Sequence, residues 1–213
     1  MNGETRDFDK VAASWDQEPR RVNLARDVAT AIMAAIPLAP DMAVMDFGCG
    51  TGLLSLFLLP QVARVTGVDT SRGMLEALEA KIAAQKLANL STYLDPQEGQ
   101  ALPGGYDLIV SSMTLHHVPE VPALLARLVA ALKPGGRLAL ADLDPEEGQF
   151  HPDATGVFHN GLERAWLADQ MRQAGLTQVQ ERTAATMNKP ARDGNLRDFS
   201  IFLITGGVPP TGR

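Results

Sequence analysis

The sequence predicts an α/β chain, a doubly wound and mostly parallel sheet with helices on both faces. Two observations predict it. Apolar runs of strand length alternate with segments whose apolar residues recur at helical spacing, the pattern of successive βαβ units. The first such unit is also the plainest: Ala43-Val44-Met45-Asp46-Phe47, then Gly48-Cys49-Gly50-Thr51-Gly52, then Leu53 to Leu59, then Val65-Thr66-Gly67-Val68-Asp69. An apolar run, a glycine turn, an apolar helix and a second run ending in a carboxylate make a unit able to hold a nucleoside. Glycines let the backbone approach a ligand with no Cβ in the way, and the helix they open has unpaired N–H groups. Asp69 follows Gly48 by 21 positions, where an acid accepts hydrogen bonds from ribose hydroxyls.

The elements follow in order. From Phe8 to Ile36 apolar residues at Val11, Trp15, Val22, Leu24, Ala25, Val28, Ile32 and Ile36, broken at Glu18-Pro19, predict a short helix and then one over about Arg20 to Ile36. Residues 37–41 are a proline-rich break before the first strand. After Asp69, Thr70 or Ser71 can cap a helix with Met74, Leu75, Leu78, Ile82 and Leu87 on one face. Leu90 to Leu94 is the third strand, followed by Asp95-Pro96. Tyr106 to Ser112 is the fourth, running directly into Met113-Thr114-Leu115-His116-His117-Val118. A helix over about Glu120 to Leu132 ends at Lys133-Pro134-Gly135-Gly136, where proline blocks continuation, and Arg137 to Leu143 is the fifth strand. Residues 144–161 lose periodicity, and a loop of that length in a compact domain is usually functional. A helix over about Leu162 to Ala174 and two antiparallel strands, Val179 to Met187 and Arg197 to Thr205, complete the chain, with residues 206–213 expected to be loose.

At 213 residues the expectation is a single domain with a sizeable core. Hydrophobic residues at 45% exclude disorder, and the longest apolar stretch, Gly52 to Leu59, is too short to span a bilayer. A net charge of 19 − 25 = −6 without charged blocks argues against nucleic acid as a standing partner. The amino-terminal residues have no apolar core of a secretory signal, so a cytoplasmic location is expected. Cys49 is the only cysteine, which excludes an internal disulfide. It reads as a small residue packed under the turn.

Dinucleotide-binding turns place the third glycine three positions after the second, and that position here is Leu53. Asp46-Phe47-Gly48-Cys49-Gly50-Thr51-Gly52 instead resembles the first motif of the class I methyltransferases that use S-adenosylmethionine, in their small-molecule branch. Tyr106-Asp107 opening the fourth strand and Leu132-Lys133-Pro134-Gly135-Gly136 before the fifth are further hallmarks, so the likeness covers about 43–143. The resemblance implies seven strands with the last inserted antiparallel beside the fifth. It also implies a division into a helical leader over the site (1–40), a cofactor-binding core (41–143), and an acceptor-side loop, helix and hairpin (144–205). Cofactor contacts are expected from Asp46, Gly48, Cys49, Gly50, Gly52, Asp69, Thr70, Met74, Ser111 and, in the leader, Trp15. Asp95 would accept from the adenine 6-amino group. Phe8 and Arg20 join Trp15 as lid residues.

Methyl transfer from a sulfonium is an in-line displacement onto an acceptor held about 3–3.5 Å from the carbon. A phenol, carboxylate or thiol acceptor needs a group that takes or holds its proton, a task suited to imidazole. All four histidines fall on segments that could face one pocket. His117 is the catalytic candidate, and His116, His151, Phe158 and His159 are candidate walls for the small-molecule acceptor. His151, His159 and Asp153 are metal-ligand types without a recognised spacing, so no metal is expected. The alternative functions are a catalytically silent module that binds the cofactor as a sensor or partner subunit, and a nicotinamide-dependent oxidoreductase, which Leu53 argues against.

Overall fold

The computed structural model describes residues 7–96 and 100–210. Seven strands form one sheet: β1 (Ala43–Phe47), β2 (Arg64–Asp69), β3 (Leu90–Leu94), β4 (Tyr106–Ser112), β5 (Leu132–Leu143), β6 (Thr177–Pro190) and β7 (Leu196–Gly207). Their order is β3-β2-β1-β4-β5-β7-β6. The first five are parallel, and β7 enters antiparallel between β5 and β6. All five residues of β1 are buried, as a central parallel strand covered on both faces must be.

Among the described residues five α-helices cover the sheet: α1 (Pro19–Ala35), α2 (Leu53–Leu58), α3 (Arg72–Gln85), α4 (Val121–Ala131) and α5 (Arg164–Gln173). Val28 and Ile32 of α1, Leu54 and Leu58 of α2 and Leu75 and Leu78 of α3 share one core with Val44, Val65 and Leu108. Leu125 and Leu128 of α4 and Leu167 and Met171 of α5 build the other with Met45, Ile109 and Leu138. Alternate residues of β1 enter opposite cores, as the two-residue period of a strand requires. Ser71 caps α3, its Oγ accepting from Met74 N at 3.1 Å. Asp107 braces the far, amino-terminal end of the sheet, accepting from Ala43 N and Lys133 Nζ at 2.8 Å each.

Several boundaries differ from the sequence reading for identifiable reasons. Pro60 lacks an N–H, and α2 stops at Leu58 and continues only as a 3-10 turn over Leu59–Gln61. β5 begins five residues early because Leu132 already pairs with Tyr106, ahead of a register shift at the Pro-Gly-Gly turn. Gly206 and Gly207 are not part of a loose tail; they pair with Leu138 and Arg137 at the end of β7. The first segment of the leader is a 3-10 helix, Asp9–Gln17. No helix among the described residues is long and apolar enough to cross a membrane.

Strand order reverses between β1 and β4, so their carboxyl ends open a crevice, the usual ligand position in such sheets. Everything below lies at that edge.

Candidate active site

The glycine turn folds back over β2, with Gly48 N and Cys49 N both donating to Val68 O at 2.7 and 3.0 Å. All three motif glycines have positive φ, 71°, 53° and 80° for Gly48, Gly50 and Gly52. Their surroundings differ. A Cβ on Gly48 would lie 2.2 Å from Thr114 Oγ1, and one on Gly52 2.3 Å from Leu78 Cδ1, whereas one on Gly50 would meet nothing nearer than Met74 Sδ at 3.9 Å. Two of the glycines are therefore demanded by packing, and Gly50 alone faces open space.

Asp69 stands beside that space. Its Oδ2 accepts from Gly50 N at 2.7 Å and its Oδ1 from Ser71 N at 2.9 Å, so the carboxylate ties the turn to the start of α3. Each oxygen keeps a second lone pair for a ligand hydroxyl. Burial pushes the Asp69 carboxyl above the ordinary range despite these bonds. Thr70 is exposed next to it and Met74 is buried below.

Other expected contacts are buried beneath the turn and the sheet edge. Asp46 is 1% exposed and accepts from Ser55 Oγ at 2.6 Å; it braces the turn from below and presents no surface to a ligand. Desolvation raises its carboxyl to about 7. The Cys49 side chain is likewise turned inward, so close to β2 that a Cβ on Gly67 would lie 2.9 Å from Sγ. Burial raises its thiol well above the ordinary range, and it packs as a small apolar group. Ser111 is buried under the carboxyl edge. Asp95 is 3% exposed, and its Oδ1 is held by Arg127 Nη2 at 2.6 Å. That ion pair to α4 is absent from the sequence reading, which has the carboxylate facing adenine.

The leader crosses the top of the turn. Thr51 Oγ1 donates to Asp16 Oδ1 at 2.6 Å, and Lys81 Nζ donates to Thr51 O at 2.6 Å while pairing with Asp16. Asp9 accepts from Ser71 Oγ and Gly73 N. Arg21 holds Trp15 by a bond to its carbonyl and by lying 3.7 Å over its ring. Phe8 packs edge-on against both Trp15 and His117, with centroids at 6.1 and 5.1 Å. Arg20, expected in the lid, instead pairs with Glu18 at the start of α1.

Under Phe8 three histidines meet. His116 and His117 lie in a 3-10 turn, Leu115–His117, and His151 comes from the loop after β5. Their ring centroids are 4.1, 4.9 and 5.5 Å apart. His116 Nδ1 donates to Asp142 Oδ1 at 2.6 Å, both groups being buried. Asp142 is held in turn by Leu115 N at 2.8 Å and Leu143 N at 2.7 Å. Burial alone would raise its carboxyl, but the His116 ring and the Leu143 and His116 N–H groups keep it below the ordinary range. His117 Nδ1 donates to Gly156 O at 2.7 Å.

His159 is not in this group: its Nε2 donates to Val118 O at 2.9 Å. Asp153 turns to Thr155, and Phe158 is 42% exposed. Asp142, Asp16 and Arg127 are missing from the sequence reading. Of these, Asp142 had a signal, a charged residue inside the apolar strand Leu138 to Leu143.

The profile of the methyltransferase domain family matches residues 19–181. The chain belongs to this family. An uncharacterised methyltransferase of Schizosaccharomyces pombe is 33% identical over 135 residues, covering 56% of this chain and 48% of its own length. A trans-aconitate 2-methyltransferase of Deinococcus radiodurans is 43% identical over 112 residues, covering 51% and 41%. The chain thus spans about half the length of these curated relatives. A phosphoethanolamine N-methyltransferase 2 of Haemonchus contortus, solved with phosphomonomethylethanolamine and S-adenosylhomocysteine, superposes with a TM-score of 0.68 at 16% identity, over 85% of this chain and 52% of that one. At that identity the likeness concerns the fold. In this methyltransferase-domain chain, then, the turn with Asp69 and the histidine cluster both lie along the carboxyl edge of the sheet.

Proposed function

We propose that this chain binds S-adenosylmethionine against the glycine turn and Asp69 and methylates a small-molecule acceptor lodged between the histidines and the leader. The observation that carries the reading is the open space at Gly50, which any Cβ would begin to fill, directly beside an acid able to accept from ribose hydroxyls. The family assignment supports the same reaction, and the relative named for trans-aconitate supports a small acceptor. Bound, the cofactor supplies an electrophilic methyl group.

The chain's own tasks are then positioning and shielding. Asp69 orients the nucleoside end, the turn holds the amino-acid end, and Trp15 with Phe8 excludes water from the crevice. His117 stands at the acceptor end, where its imidazole meets the acceptor's acidic group. On this reading the leader of 1–40 covers the site, 41–143 hold the cofactor and 144–205 frame the acceptor, residues 1–6 and 97–99 lying outside those described.

Calorimetry tests the reading. S-adenosylhomocysteine and S-adenosylmethionine should each bind once per chain while NAD gives no heat. The opposite pattern, heat from NAD and none from S-adenosylhomocysteine, overturns it. Release of S-adenosylhomocysteine during screening against a metabolite collection separates an enzyme from a binding module on the same fold.

A further inference from the structure

We propose that His116, His117 and His151 form a binding site for a divalent transition-metal ion of the zinc class, with one coordination position left open toward the acceptor pocket. Each residue offers one ring nitrogen, and the three nitrogens lie within 4.8 Å of one another. Tetrahedral zinc with Zn–N bonds of about 2.0–2.1 Å separates its ligand nitrogens by roughly 3.3 Å. The trio therefore needs a closure of about 1.5 Å at most. His151 can supply it by turning its ring, because it is carried by a loop segment outside any helix or strand.

The placement of protons is the second observation. His116 donates its Nδ1 proton to the Asp142 carboxylate, so in its neutral form the ring carries its lone pair on Nε2. That Nε2 is buried and has no hydrogen-bond partner among the described residues. A buried polar atom left in this state costs stability and calls for an explanation. His117 donates its Nδ1 proton to the Gly156 carbonyl, so its neutral tautomer likewise carries the lone pair on Nε2. A carboxylate and a main-chain carbonyl are the groups that ordinarily orient metal-ligating imidazoles and fix their tautomers. Apolar walls complete the arrangement, with Phe8 edge-on to His117 and Phe150 edge-on to His151 at 5.1 and 4.9 Å.

Donor chemistry names the ion class. Imidazole suits zinc, cobalt, nickel or copper, and the absence of carboxylates from the trio disfavours magnesium and calcium. Three protein ligands with an open position is also the pattern of catalytic, not structural, zinc. The role of that position rests on the methyltransferase reading: an acceptor oxygen bound there would be acidified and oriented. His117 would then act as a ligand, and not by taking the acceptor proton directly.

The test uses the full chain, free of any histidine tag, stripped with a chelator and titrated with Co²⁺. One equivalent should bind with the visible d–d absorption of a four- or five-coordinate nitrogen site, and Zn²⁺ should displace it. His151→Ala and His117→Ala should each weaken binding by about 100-fold or more. Asp142→Asn should weaken it by 10–100-fold, the usual effect of removing an orienting partner. His159→Ala should bind like the parent. His116 is buried deeply enough that its removal tests folding too, so the other variants decide. A folded parent that takes up no stoichiometric Co²⁺, or His117 and His151 variants that bind like the parent, overturns the site. Calorimetry with S-adenosylhomocysteine on the same samples separates the two readings. Cobalt without cofactor heat supports the ion site against the cofactor reading, and cofactor heat without cobalt does the reverse.

Discussion

At the residue scale the glycine motif shows what one-letter spacing can and cannot say. Three glycines in alternation announce a turn that comes close to a ligand, and their positive φ values agree. The sequence cannot rank them, because their reasons lie in residues far along the chain: Thr114 crowds Gly48, Leu78 crowds Gly52, and a Cβ on Gly50 would meet only Met74 Sδ at 3.9 Å. The ranking is testable. Gly50→Ala should cost about 1–2 kcal/mol of stability through its left-handed φ, yet fold, and should lose most S-adenosylhomocysteine binding. Gly48→Ala should be far less stable, since its Cβ has nowhere to go. Asp69 corrects the expectation of a pure ligand contact, because it also holds Gly50 and Ser71. Asp69→Ala should weaken cofactor binding by about 1.5–3 kcal/mol, as for bonds to a charged group, and also lower Tm. Normal calorimetric affinity in that variant would mean the ribose lies elsewhere.

At the scale of elements, the leader and the long loop both border the site, and they differ in how they are held. The loop is already anchored to the floor: Phe158 N and His159 N both donate to His116 O, Leu162 N donates to Leu143 O, and Arg164 grips Asp144 through two 2.6 Å bonds. The leader's 3-10 helix is short and half-exposed, attached mainly by Asp9, Asp16 and Phe8. Segments with few buried contacts open most readily. Saturation with S-adenosylhomocysteine should therefore slow amide exchange most strongly in residues 8–17, with a smaller change in 144–161. Asp16→Ala removes both the Thr51 bond and the Lys81 pair, and should speed exchange in the leader while leaving β1 and β4 protected. Equal exchange in parent and variant would show that Asp16 does not hold the leader down. Neither anchor was legible, since Asp16 and Thr51 are joined only by the way the leader folds over the turn.

For the whole molecule, strand and helix periodicities were enough to find the strands and the doubly wound class, and the family likeness placed the last strand antiparallel beside the fifth, while the order of the sheet comes from the structure. What they could not supply is which side chains meet across the carboxyl edge. His116 lies in the 3-10 turn that follows β4, Asp142 near the end of the adjacent β5, and His151 arrives from a loop, so their convergence depends on side-chain direction, which spacing does not encode. The same blindness hid the state of Asp46, an acid at the centre of the sheet that reads as a ligand contact and folds as a buried brace. Its carboxyl, pushed up to about 7, makes global stability depend on pH. Unfolded, the group ionises near pH 3.9. Between about pH 4 and 7 the folded state thus binds more protons than the unfolded one, and stability must fall as pH rises through this window and level off above it. The group's contribution is complete below pH 4 and lost above 7. Asp46→Asn still accepts from Ser55 and cannot ionise, so relative to the parent it should gain stability with pH, on the order of 4 kcal/mol between pH 4 and pH 8. Any fixed cost of the amide group cancels in that difference. Urea unfolding of both proteins at the two pH values measures it directly, and a gap between variant and parent that does not change with pH would show that Asp46 is ionised in the folded chain.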